Sequence, residues 1–370
     1  MREQLLVFIL LFFARAHSEG RQRREEWGVP PVVDLQGVET RRAVVAAIEQ
    51  WGFFHVVNHG ISSSLRDELR EQMTLFFSAP ESVKRSIARS ANNSRGFADD
   101  EFTKQKTDAK QILDLGHKPR PDLTDNAPEN HVMDGFNQLP PPGLFPDFRR
   151  VTDDWYANCT ALSAMLAGII ADALAEEHPG GRAIIAGAFA NHTSFLRLNY
   201  YPIHHPKAEA GDASAVLGVS RHTDAGFLTI LLQDDAAEDG LEVYSGTRQD
   251  AGDGEWVPVR AVPGALTINT GDMLQVYSNG RFKAPEHRVA KSAARARYSA
   301  PFFYNPSYDT IVSPLLSASR SRPRYRPISW GQFRANRFKG DYADVGAETQ
   351  IEDFLIIDDN DADDGRREEL

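Results

Sequence analysis

His222, Thr223 and Asp224 stand between Gly218-Val219-Ser220-Arg221 and the run Ala225-Gly226-Phe227-Leu228-Thr229-Ile230-Leu231. The run is β-branched and apolar, which reads as a strand continuing through His-Thr-Asp. On a strand, residues two apart project to one face. The His222 imidazole and the Asp224 carboxylate are therefore expected side by side, as two-thirds of a metal site. His287, in Pro285-Glu286-His287-Arg288-Val289, opens another predicted strand and is the candidate third ligand. Two imidazoles and one carboxylate form a facial triad with open coordination positions, which suits non-haem Fe(II). Spacing alone leaves His287 open between a ligand and a hydrogen-bonded core residue.

Arg297 and Ser299 share one face of a further predicted strand. A guanidinium beside a hydroxyl suits a carboxylate, because the planar fork of arginine engages both oxygens. Tyr201, in Asn199-Tyr200-Tyr201-Pro202, offers a phenolic donor. The other histidines read differently. His55 and His59 are expected at a strand end, hydrogen-bonded to backbone, and His204 and His205 in a solvated loop. The single cysteine, Cys159, excludes an internal disulfide and a cysteine-based zinc cluster, and reads as a small buried apolar residue.

These residues need a frame. Residues 29–35 read as an edge strand with prolines at its start, 39–50 as a helix, 51–60 as a buried strand and 62–77 as an amphipathic helix. Pro80 suits the first position of a further turn. Residues 90–146 are rich in Pro, Asn, Asp and Gly and read as irregular, the kind of long loop that carries substrate contacts. Residues 148–178 repeat Trp155, Leu162, Leu166, Ile169, Ile170 and Leu174 at helical spacing, a core-facing stripe. From residue 194 short strands dominate: 194–202, 222–233, 240–244, 256–259, 265–269, 273–277, 285–289 and 297–304, with a turn at Ser278-Asn279-Gly280 and a last helix at 330–337. The fold class expected is α+β and β-rich, a jelly roll (double-stranded β-helix) flanked by helices.

The formal net charge is −11, which argues against a nucleic-acid surface. Much of the acidity lies in residues 357–370, read as a solvated, disordered tail. At the other end, Arg2, the apolar run 5–13 and Ala14-Arg15-Ala16 have the form of a signal peptide over residues 1–18, too short for a stable membrane span. The final Arg367-Glu368-Glu369-Leu370 resembles the ER-retention type, and triplets at Asn92, Asn158 and Asn191 fit the glycosylation pattern. These features point to the secretory pathway and the ER lumen. The alternative is a cytoplasmic enzyme with an inconsequential leader.

Taken in order, the motifs resemble the Fe(II)- and 2-oxoglutarate-dependent dioxygenases of the isopenicillin N synthase-like type, from about Val29 to about Phe338. The N-terminal match runs through Pro31-Val32-Val33-Asp34-Leu35, Trp51-Gly52-Phe53-Phe54 and Asn58-His59-Gly60. The C-terminal match runs through His222-x-Asp224, Asn269-Thr270-Gly271-Asp272, Ser278-Asn279-Gly280, Glu286-His287-Arg288-Val289 and Arg297-x-Ser299. The resemblance implies an N-terminal region at 27–145 and a jelly-roll domain at 148–340. It implies His222, Asp224 and His287 as Fe(II) ligands. It implies Arg297 and Ser299, assisted by Tyr201, at the far carboxylate of 2-oxoglutarate. Dioxygen is the other co-substrate and ascorbate the expected reductant. The implied reaction couples decarboxylation of 2-oxoglutarate, to succinate and CO2, to hydroxylation, desaturation or ring closure of a small molecule by a monomeric enzyme. Asn269 and the backbone near Gly271 are candidates for orienting the imidazoles. Phe302 and Phe303 each fit pocket or core, and Arg95-Gly96-Phe97 and residues 108–116 belong to the substrate-covering region. The alternatives are a 2-oxoglutarate-independent oxidase of the isopenicillin N synthase kind and a non-catalytic binding module. The long excursion 234–255, the leader and the acidic tail depart from the pattern.

Overall fold

The computed structural model describes residues 29–356 apart from 91–92, 104–105, 109, 117–134, 177, 204–216, 235–239, 246–253, 291–293, 317–321 and 344–348. The leader, the acidic tail, Asn92, His204, His205 and much of the 234–255 excursion lie outside the described residues.

The chain opens with β1 (Val32–Asp34), α1 (Thr40–Gln50), β2 (Phe53–Val57), α2 (Ser63–Phe77) and α3 (Glu81–Arg85). The Ser62 hydroxyl caps α2 by accepting from the Leu65 amide at 3.2 Å. Pro80 precedes α3 as its N-cap rather than standing inside it. The stretch expected to be irregular carries four strands: β3 (Gly96–Ala98), β4 (Phe102–Thr103), β5 (Lys106–Thr107) and β6 (Gln111–Gly116). Their charged and glycine-rich text hides them, because side-chain pattern reports burial and β6 buries polar residues.

Two helices follow, α4 (Phe148–Ala175) and α5 (Gly181–Ala188), the latter not foreseen across its glycines. By length and composition α4 could cross a membrane. Here its stripe of Trp155, Leu162, Leu166, Ile170 and Leu174 is buried in the protein core, while Ile169 is half-buried. Burying each large side chain contributes about 1.5–3 kcal/mol.

The remaining strands are β7 (Phe195–Tyr201), β8 (Val219–His222), β9 (Leu228–Gln233), β10 (Leu241–Tyr244), β11 (Trp256–Pro258), β12 (Leu266–Thr270), β13 (His287–Val289), β14 (Arg297–Tyr304), β15 (Ile311–Val312) and β16 (Ile328–Ser329). Residues Asp272–Tyr277 form helix α6, not the strand expected. Its apolar run is too short for periodicity to separate strand from helix. Helix α7 (Trp330–Ala343) runs further than its sequence signal.

An eight-stranded sheet has the order β1-β2-β12-β9-β14-β7-β6-β3, and a four-stranded sheet the order β11-β10-β13-β8. Together they form the jelly-roll core. Strands from the N-terminal region continue the large sheet on both edges, so the two regions share one sheet. Alternation along its central strands sorts the side chains. Arg197, Asn199 and Tyr201 of β7, with Arg297, Ser299, Pro301 and Phe303 of β14, line a cavity. Leu196, Leu198, Ala300 and Phe302, at the intervening positions, join the core on the other face, where α4 packs against β9 and β14.

Candidate active site

The cavity has a volume of about 170 Å³, and its two ends hold the two groups of residues singled out in the sequence. His222 is the last residue of β8 and His287 the first of β13. The antiparallel pairing sets them opposite one another, with ring centroids 4.2 Å apart. Asp224 is not on a strand. β8 ends at His222, and Thr223 to Phe227 cross from the small sheet to β9 in the large one. The expected shared face is thus made by a crossover, not by strand alternation.

The crossover still aims Asp224 correctly. Its Oδ1 lies 3.7 Å from Nε2 of His222 and 3.7 Å from Nε2 of His287. One ligand atom from each residue falls within 4.8 Å of the others. The Nδ1 of His222 meets the Ser220 carbonyl at 2.7 Å, and that of His287 meets the Pro285 carbonyl at 3.2 Å. A carbonyl only accepts, so each Nδ1 carries the proton and each Nε2 lone pair points inward. The other carboxylate oxygen, Asp224 Oδ2, accepts from Thr229 Oγ1 at 2.5 Å and from Asn269 Nδ2 at 2.7 Å. Asn269 therefore orients the carboxylate rather than an imidazole. The imidazoles are oriented by carbonyls of their own segments.

Burial, then the neighbouring His287, push the His222 pKa well below the usual imidazole range. Burial alone would raise Asp224, but His287, His222, Thr229 and Asn269 outweigh it and hold the carboxylate below its ordinary value. Neutral imidazole nitrogens and an ionised carboxylate oxygen are the donor set an Fe(II) ion needs. The fit is good.

The loop has a brace that the sequence did not reveal. Arg337 of α7 donates to the Thr223 carbonyl at 2.9 Å and reaches Asp272 Oδ2 at 3.5 Å. Asp272 is fully buried and its amide donates to the Asp224 carbonyl at 2.8 Å. Burial pushes the Asp272 pKa up to about 6 against the pull of Arg337.

At the other end, Arg297 pairs in register with Tyr201, and Ser299 with Asn199. The guanidinium carbon lies 5.1 Å from the Tyr201 ring centroid. Asn199 Nδ2 donates to Ser299 Oγ at 3.2 Å. Arg297 is 4% exposed, and its Nη1 is buried with no hydrogen-bond partner among the described residues. Such a group calls for an anion. Gly240 helps to seat it, because a Cβ there would stand 3.2 Å from the Arg297 side chain. A planar carboxylate fits this end.

Phe303 lines the cavity and Phe302 is core. Arg95, Lys110 and Asp114, from the region expected to cover the substrate, line it too. Missed in the sequence was a buried ionic wall. Arg197 grips Asp114 through Nε and Nη2, and Glu101 through Nη1 and Nη2, all at 2.7–2.9 Å. The one available signal was Arg197 sharing its parity on β7 with Tyr201. His59 meets the Gly264 carbonyl as expected. His55 meets the side chain of Thr267 rather than backbone.

Residues 192–306 match the family model of the 2OG-Fe(II) oxygenase superfamily, and residues 30–142 that of the non-haem dioxygenase in morphine synthesis N-terminal. Gibberellin 2-beta-dioxygenase 8 of Arabidopsis thaliana is 30% identical over 82% of this chain and 80% of its own length. The chain belongs to the 2OG-Fe(II) oxygenase superfamily. Flavonol synthase/flavanone 3-hydroxylase of Arabidopsis thaliana is 29% identical over 82% of this chain and 84% of its own length. The crystal structure of JOX2 with 2OG, Fe and JA aligns with a TM-score of 0.69 at 28% identity, over 89% of this chain and 90% of that one. This oxygenase is an Fe(II)/2-oxoglutarate-dependent enzyme. It couples decarboxylation of the co-substrate to oxidation of a small organic molecule, and the comparisons favour that reaction over a 2-oxoglutarate-independent oxidase or a non-catalytic module.

Proposed function

We propose that His222, Asp224 and His287 hold Fe(II) through Nε2, Oδ1 and Nε2, and that Arg297 and Ser299 receive the far carboxylate of 2-oxoglutarate, with Tyr201 packed against the guanidinium. Fe(II) with bound 2-oxoglutarate supplies the oxygen-activating chemistry. The protein's own residues then do three things. The Ser220 and Pro285 carbonyls set the imidazole tautomers. Thr229 and Asn269 reserve one Asp224 oxygen for the metal. The even-numbered positions of β7 and β14 seal the cavity floor against water. The observation that carries the reading is the buried Nη1 of Arg297, facing the same cavity as three convergent ligand atoms.

The test is anaerobic addition of Fe(II) and 2-oxoglutarate to the purified protein. The weak visible metal-to-ligand band is expected, and its absence despite metal binding would remove 2-oxoglutarate from this site. His222→Ala and Asp224→Ala should abolish iron binding.

The cavity volume supports a small-molecule substrate; dioxygen as co-substrate, ascorbate as reductant and a monomeric chain complete the proposal. The gibberellin and flavanone in the relatives' names support the same size class. For location we favour the ER lumen, on the leader, the terminal tetrapeptide and the exposed Asn158 and Asn191. A mobility shift on endoglycosidase treatment of the protein expressed with its leader checks this.

A further inference from the structure

The two histidines assigned to iron face each other across strands that do not count alike. His287 pairs with His222 and Val289 with Val219, so two steps along β13 match three along β8. One extra residue on one strand is a β-bulge, and here Ser220 and Arg221 together oppose Arg288. We propose that Arg221 is a positioning residue: anchored on the outer face of the small sheet, it holds this bulge and so keeps His222 turned towards the metal. The proposal rests on the iron-binding reading of His222 and adds what aims that side chain.

Val219, His222, His287 and Val289 all line the cavity. Side chains alternate along a strand, so Val219 and His222, three apart, would sit on opposite faces of a regular one. The bulge puts both inside. With regular pairing from Val219, Arg221 would oppose His287 and enter the cavity, and His222 would face out. Among the described residues β8 is an edge strand, paired in its sheet with β13 alone. Backbone pairing therefore restrains its register from one side only, and the side chains must choose between the two arrangements.

The outer face is built to receive Arg221. Its Cζ lies 4.6 Å from the Tyr244 ring centroid and 5.7 Å from that of Trp256, and its guanidinium pairs with the Glu286 carboxylate. Tyr244 and Trp256 are register partners on β10 and β11, with centroids 5.3 Å apart. Arg288 fixes this platform from β13. Its Cζ is 4.1 Å from the Trp256 centroid, and its Nε donates to Oε2 of Glu242, its register partner on β10, at 2.6 Å. Glu286 is buried and immediately precedes His287, as Arg221 precedes His222. Their ion pair thus joins the neighbours of both ligands across the two strands.

The Arg221 side chain is 41% exposed, so its ion pair adds little to global stability. Its effect lies in the difference between the two registers. Turned inward, the guanidinium would lose water and give up both rings and Glu286 at once. A side chain content on either face would leave that choice open.

The experiment compares the full-length wild type with Arg221→Val, Arg221→Lys and a chain from which Arg221 is deleted. Anaerobic titration with Fe(II) alone reads metal affinity. NMR of the metal-free protein labelled with 15N-histidine reads the Nδ1–H tautomer that the Ser220 carbonyl sets on His222, assigned with His222→Gln. Valine suits either face, so Arg221→Val should lower Fe(II) affinity by about 10–100-fold and lose that tautomer. Arg221→Lys keeps the cation on a long stem and should keep both. The deletion removes the extra residue, so straight pairing returns His222 to the inner face. That chain should bind Fe(II) more tightly than Arg221→Val although it has lost the same outer contacts, an order that lost stability alone would not give. Wild-type affinity and tautomer in Arg221→Val, or a deletion that binds no better than Arg221→Val, overturns the proposal. The tautomer lost in Arg221→Val, in a protein that binds no Fe(II) even as wild type, keeps the register role and removes the iron reading. Fe(II) bound equally by wild type and Arg221→Val does the reverse.

Discussion

Asn269 donates to the one oxygen of Asp224 that faces away from the imidazoles. With Thr229 on the same atom, the carboxylate is held so that Oδ1 alone meets both Nε2 atoms. Replacing Asn269 by Ala should therefore weaken Fe(II) binding by about 10–100-fold without removing a ligand. An anaerobic Fe(II) titration checks it. Unchanged affinity would show that Thr229 suffices.

Arg297→Ala should raise the KM for 2-oxoglutarate by about 30-fold or more, since truncating one partner of a buried charged pair costs about 2–5 kcal/mol. Arg297→Lys should fall between, because the ammonium keeps the charge and loses the fork. Iron affinity measured without 2-oxoglutarate should not move.

Acid should destabilise the protein partly through His55. Burial pushes its pKa down to about 4 from 6.5. Its Nδ1 meets the Thr267 hydroxyl, which also accepts from Gln233 Nε2. The unfolded chain then binds more protons between these values. Stability is fully present above pH 6.5 and is lost as pH falls towards 4, by about 3 kcal/mol in all. Urea unfolding of wild type and His55→Gln across this range should show the smaller pH dependence in the variant.

Phe302→Ala and Phe303→Ala should separate folding from substrate binding. Phe302 is fully buried against the helical layer, so its truncation should cost about 3–5 kcal/mol and lower Tm. Phe303 faces the cavity, so its truncation should mainly change substrate KM. Thermal unfolding and steady-state kinetics on both variants decide the assignment.

What the sequence by itself determined is local and periodic. The helix stripe of residues 148–175 and the alternation of β7 and β14 follow from burial on one face. The ordered motifs named the donor residues, because His, Asp, Arg and Ser have few substitutes in this chemistry. The pairing of His222 with Asp224 was found for the wrong reason, as a strand face, where the chain in fact changes sheets after His222. Helix α6 and strands β3 to β6 were illegible, since short apolar or charged runs carry no decisive period. Only the tertiary structure decided that His287 opposes His222 across two strands, and that Arg337 braces the metal loop. Only it set Arg221 against Tyr244, Trp256 and Glu286. Such contacts join segments far apart in sequence, and which of them meet is set by strand register and helix packing rather than by any local spacing.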